Sequence, residues 1–88
     1  MQRVSFDLRR VRDEDDFYWQ FAQKFELAEF GENLDALWDT LTGGLHLPLH
    51  ITLRHLSQHP CRAALQPVVD VMLEAEQETG GEFSVSVY

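Results

Sequence analysis

"LHITL", Leu49 to Leu53, decides the fold. Leu49, Ile51 and Leu53 alternate with His50 and Thr52, so one face of an extended segment is apolar and the other polar. Pro48 stands before it, a residue that fits the entrance of a strand. Two further segments carry the same period. In "RVSFDL", residues 3–8, Val4, Phe6 and Leu8 share a face; in "FSVSV", residues 83–87, Phe83, Val85 and Val87 do. The stretches between them are helical in pattern and long enough for crossovers, which lets the three strands run parallel. Strands covered on both faces would read as unbroken apolar runs, and these alternate. The expected fold is therefore α/β: a small three-stranded parallel sheet with helices packed mainly on one face, forming a single domain over residues 1–88.

Three helices fill the connections. Acids from Asp13 to Asp16 offer an N-cap and a negative first turn, and Phe17, Tyr18, Phe21, Ala22 and Phe25 follow at helical spacing. This predicts a first helix over residues 14–26, with Trp19 off its main stripe. Asn33 caps a second helix that runs to about Thr42, where Gly43 and Gly44 stop it. A short segment around residues 61–65 precedes Pro67, which either starts or kinks a final helix to about Thr79. Val68, Met72 and Ala75 are its core stripe, and Gly80-Gly81 ends it.

The second helix separates two surfaces. At about 100° per residue, Leu34, Leu37, Trp38, Leu41 and Leu45 fall in one broad sector, the core side. Asp35, Asp39 and Thr42 fall together in the next, with Trp38 on the border. Asp35 sits in the first turn, where a carboxylate complements the helix dipole. Asp39 lies beyond it, and like charges at i and i+4 repel by about 0.2–0.5 kcal/mol. The nearest bases in sequence are Lys24 and Arg54, so the pair has no local compensation. Such a stripe is either a solvated face or a binding face.

The chain carries 15 acids and 7 bases, for a net charge of −8. That balance disfavours nucleic acid and anionic membrane, both polyanions, and suits a basic protein partner as well as plain solubility. The single cysteine, Cys61, permits no intramolecular disulfide and fits a reducing compartment, with a small buried apolar role as its simplest use. No apolar run approaches a membrane span, and "MQRVSFDLRR" is not a secretory signal, so the expected location is the cytoplasm.

The stretch "FGENLDALWDTLTG", Phe30 to Gly43, resembles the signature of the barstar family, intracellular inhibitors of microbial guanyl-specific ribonucleases. Pro48-Leu49 and the helical "LEAEQETG", Leu73 to Gly80, are similar too, and the likeness extends more weakly before residue 29. The resemblance implies a three-stranded parallel sheet with helices and a protein that plugs a nuclease active site. It implies that Asp39 takes the place of a substrate phosphate among the enzyme's bases, with Asp35 a second contact. By the same resemblance Asn33, Leu34, Trp38, Thr42 and Gly43 lie in or beside the contact surface, and Gly31 meets the enzyme with its backbone. Glu74 on the last helix matches a further acidic contact and Glu78 a peripheral one. Two positions depart from the pattern: Glu29 stands where the family has an aromatic contact, and Gly44 where it has a tryptophan.

Other chemistry fits less well. His46, His50, His55 and His59 follow at intervals of four, five and four, but Pro48 and the strand pattern keep them off one helix, so no metal site is expected and the histidines are read as exposed or half-buried. Glu74, Glu76 and Glu78 read most simply as a solvated helix face. There is no phosphate-binding glycine loop and no nucleophile motif, so neither catalysis nor a cofactor is expected. The expected partner is a basic ribonuclease or ribonuclease-like toxin, met by a protein that is monomeric when free. The alternative is an acidic adaptor for a basic protein that is not a nuclease.

Overall fold

The computed structural model describes residues 1–88. Strands β1 (Gln2–Asp7), β2 (Leu49–Arg54) and β3 (Phe83–Val87) form one sheet in that order, with both pairs parallel. Val4, Ile51 and Val85 stand in register across it. The apolar positions of the three alternations therefore share one face. Leu49, Ile51, Leu53, Val4, Phe6 and Phe83 on that face are buried, while His50, Thr52, Ser84 and Ser86 on the other stay half-exposed. Helices cover one face only, because only one face has apolar surface to bury.

Helix α1 (Glu14–Lys24) begins at Asp13, whose carboxylate accepts the Asp16 N–H at 2.8 Å. It ends two residues earlier than its pattern predicts, and Glu26 turns the chain with φ 54°. Its stripe delivers Phe17, Tyr18 and Phe21 to the core, where Phe6, Phe17 and Phe21 form an aromatic cluster. Trp19, off the stripe, is 56% exposed. Leu8 leaves the strand for a 3-10 turn over Leu8–Arg10 yet stays buried. Asp7 directs that turn by accepting the Arg9 N–H at 3.0 Å.

Helix α3 (Arg62–Glu78) starts before Pro67, which lies inside it. The earlier start brings Leu65 into a longer buried stripe with Val68, Val69, Met72 and Ala75. The proline leaves only the Ala63 carbonyl without its helical donor, and Ala63 is exposed to water. Cys61 is half-buried at the N-cap rather than enclosed as a small core residue.

The histidines separate. His59 is 5% exposed, so it is neither the exposed nor the half-buried residue its spacing suggests. Its ring is held from both sides: Nε2–H donates to the Val11 carbonyl at 2.5 Å, and Nδ1 accepts the Cys61 N–H at 2.9 Å. This imidazole ties the loop before α3 to the loop before α1. His50 lies on the open sheet face between the Ser84 and Ser86 hydroxyls, at 2.7 and 3.0 Å. His55 sits past the end of β2 with φ 69°. No group of three or more His, Cys, Asp or Glu side chains is arranged to hold a metal ion, and no helix is long and apolar enough to cross a membrane.

Candidate functional site

Helix α2 (Leu34–Asp39) is built by its N-cap. The Asn33 side chain accepts the Ala36 N–H at 2.8 Å and donates from Nδ2 to the Gly31 carbonyl at 3.0 Å. One side chain thus starts the helix and clips the preceding loop to it. Gly31 is pressed against this start: a Cβ there would lie 3.2 Å from the Ala36 Cβ and 3.3 Å from Asn33 Nδ2. The glycine allows the loop backbone to pass close to the helix end.

The helix does not stop at the glycine pair. After six α-helical residues the chain widens into a π turn over Thr40–Gly44, and Gly43 and Gly44 belong to it. Such widening adds a residue to a turn and recurs at functional sites. Thr42 donates its hydroxyl to the Trp38 carbonyl at 2.8 Å. A Cβ at Gly43 would meet nothing within 4 Å, so this end of the segment is an open surface.

Burial along α2 differs in one respect from the helical projection. Leu37 and Leu41 are fully buried. Leu34, Trp38 and Leu45 pack against the core but keep part of their surface in solvent. A short helix on the flank of a small sheet cannot enclose a broad apolar sector. The half-exposed Leu34 and Trp38 therefore rim the acidic stripe with apolar surface. Asp35 and Asp39 are exposed, and neither accepts a hydrogen bond or joins an ion pair. The chain's sole ion pair is Arg9–Asp7, at 3.0 Å.

Folding adds acids that the linear reading of α2 does not contain. Glu14 and Asp15 from α1, with Glu32 and Asp35, line a shallow depression of about 460 Å³ walled by Tyr18. A second depression, of about 820 Å³, joins Asp13, Asp15 and Asp16 to Gly31 and Glu32, with Arg12 as its only base. Some of these carboxylates are already engaged. Asp13 caps α1, Asp16 accepts the Arg12 N–H at 2.9 Å, and Glu14 accepts the Tyr18 hydroxyl at 2.5 Å. Burial, and the hydrogen bond to Glu14, push the Tyr18 phenol well above its ordinary pKa. Asp15, Glu32, Asp35 and Asp39 remain free. The run of acids at residues 13–16 signals a helix start in sequence; its place beside α2 is a long-range consequence of the fold.

On α3, Glu74 and Glu78 are exposed and unpaired, while Glu76 differs from both. Its carboxylate accepts the Val85 N–H at 2.9 Å, so it seals the edge of β3 and is not part of a solvated face. Helix α3 packs against α2 and the π turn. The depression beside Asp35 reaches neither Glu74 nor Glu78.

The chain is thus a three-stranded parallel sheet on whose flank α2 holds two exposed, unpaired carboxylates beside the half-buried Leu34 and Trp38. The model of the Barstar (barnase inhibitor) family matches residues 1–87. YrdF of Bacillus subtilis (strain 168), a protein named as a candidate ribonuclease inhibitor, is 30% identical over 90 residues covering 99% of each chain. The chain belongs to the Barstar family.

Proposed function

We propose that the chain inhibits a basic ribonuclease or ribonuclease-like toxin by placing the α2 face and its preceding loop into the enzyme's cationic cleft. Family membership and the likeness to YrdF support a ribonuclease-inhibitor role, without catalysis by this chain. The observation that carries the mechanism is the state of Asp35 and Asp39: exposed, four residues apart on one helix, and unpaired within the chain. Carboxylates held this way gain charge-assisted hydrogen bonds only from a partner. A nuclease cleft offers such donors because it must bind a polyanion.

In this reading Asp39 occupies a phosphate position, and Asp35 contacts a second base. Leu34 and Trp38 exclude water around them. Gly31, Asn33, Thr42 and Gly43 give the close backbone approach and polar rim, and Glu74 and Glu78 extend the acidic surface along α3. Asp15 and Glu32 add to the field that steers encounter. The test is inhibition of a small guanyl-specific microbial ribonuclease by the purified chain beside Asp39→Ala. Inhibition that is lost in the variant supports the reading. Equal inhibition by both proteins refutes it.

A further inference from the structure

The two edges of the sheet are treated differently. In a parallel ladder the N–H and C=O of alternate residues point to opposite sides of a strand. On β3 the outward amides are those of the odd-numbered residues, since the Tyr88 N–H turns inward to the Leu53 carbonyl. Two of them are closed by side chains: Phe83 N–H donates to Thr79 Oγ1 at 3.0 Å, and Val85 N–H to Glu76 Oε1 at 2.9 Å. On β1 the Gln2 N–H turns inward to the Pro48 carbonyl, so Arg3, Ser5 and Asp7 present their backbone groups outward. No side chain closes that row.

Beside this open edge runs a groove of about 650 Å³ between β1 and α1. Arg10 and Lys24 line it, and neither is in an ion pair. Its one acid, Asp7, already holds the Arg9 guanidinium at 3.0 Å. Arg3 on the strand adds a third unpaired base. The exposed indole of Trp19 forms part of the wall and offers an apolar platform. In a chain of net charge −8, this is a local positive field around unpaired backbone donors and acceptors.

We propose that the β1 edge is a second docking surface, which takes an extended acidic peptide segment as an added fourth strand. Main-chain hydrogen bonds to Arg3, Ser5 and Asp7 supply the pairing. Acidic side chains of the peptide meet Arg3, Arg10 and Lys24, and an aliphatic one lies on Trp19. None of this depends on how Asp39 is used.

The test is an NMR titration of the full isotope-labelled chain with a blocked hexapeptide of alternating glutamate and valine, and separately with its lysine–valine counterpart. The expected result is that the amides of Arg3, Ser5 and Asp7 shift and become protected from exchange with the acidic peptide, while those of Val4 and Phe6, already paired to β2, move little. The lysine–valine peptide leaves all of them unmoved. Arg10→Glu combined with Lys24→Glu weakens the acidic peptide about tenfold, and added salt weakens it in the wild type. Absence of shifts at the three outward amides up to millimolar peptide overturns the inference. So does equal binding of the two peptides, or a concentration-dependent shift of the same amides without peptide, which assigns the edge to self-association.

Discussion

Asn33→Ala tests the construction of the candidate site without touching an acid. The substitution removes two hydrogen bonds, from the Ala36 N–H at 2.8 Å and to the Gly31 carbonyl at 3.0 Å. Loss of an N-cap costs about 1 kcal/mol, and loss of the second, exposed bond about 0.5–1 kcal/mol. Helix α2 has only six α-helical residues and cannot hold itself by propagation, so the loss falls on the whole domain. The expected cost is about 1–2 kcal/mol, which lowers the urea midpoint by about 1 M or the melting temperature by roughly 5–10 °C. Asn33→Asp separates the two bonds. Aspartate keeps the cap oxygen and adds charge at the helix N-terminus, but it cannot donate to Gly31. It should recover most of the lost stability while leaving residues 29–32 more open to amide exchange than in the wild type. Equal destabilisation by Ala and Asp would refute the assignment of Asn33 as the cap that builds this surface.

His59→Ala orphans the Val11 carbonyl and the Cys61 N–H in a buried loop junction, and should cost about 2–3 kcal/mol in equilibrium unfolding, with near-native inhibition per folded molecule. Because the Tyr18 phenol is held neutral by burial and by its bond to Glu14, its folded pKa lies above its unfolded one. Its contribution is therefore complete below about pH 10 and is lost as pH rises beyond that value, where the unfolded chain releases the proton first. Tyr18→Phe should flatten this alkaline decline in denaturant titrations run on either side of pH 10. A Cβ at Gly44 would meet Thr40 Cγ2 at an ordinary 3.7 Å, so the backbone there accepts the first atom of a side chain and Gly44→Trp can be tested. Combined with Glu29→Tyr it should tighten inhibition of a guanyl-specific ribonuclease about tenfold by adding two aromatic anchors; unchanged or weaker inhibition argues that the partner's cleft is shaped differently.

Much of the architecture was legible because it rests on local periods. The three alternations at β1, β2 and β3 each have one apolar face, and a parallel sheet covered on one side follows from them. What escaped depends on contacts between segments. Pro67 in isolation reads as either the start of a helix or a kink within one; Leu65 has a core position to fill, and the helix begins at Arg62 with Pro67 inside it. His59 looks polar in sequence, but a loop carbonyl and a loop amide converge to satisfy both ring nitrogens. Glu76 resembles its neighbours Glu74 and Glu78 until β3 brings an unpaired amide to it. Gly43 and Gly44 read as a stop signal, whereas the chain uses them within a π turn.

The candidate site divides the same way. Asp35, Asp39 and Trp38 could be placed on one side of α2 from spacing alone, and the family signature added the expectation of what they contact. The half-exposure of Leu34 and the approach of Asp15 and Glu32 to Asp35 required the tertiary structure. Their effect on function is distributed. In the proposed complex, free carboxylates around the rim would accelerate encounter with a basic partner and be screened by salt, while those desolvated at the centre would hold the complex together.

The most direct test of the central claim is the inhibition constant of the purified chain against a small guanyl-specific microbial ribonuclease, measured beside Asp39→Ala with unfolding curves for both. Removing a carboxylate that accepts charge-assisted hydrogen bonds costs about 1.5–3 kcal/mol per bond. With two such bonds, inhibition should weaken at least a hundredfold. The unfolding midpoint should hardly move, since Asp39 is exposed and unpaired in the free chain. Inhibition by the wild type, lost in a variant of unchanged stability, is the predicted result. An inhibition constant untouched by Asp39→Ala, or lost only in proportion to a loss of folding, would contradict the account.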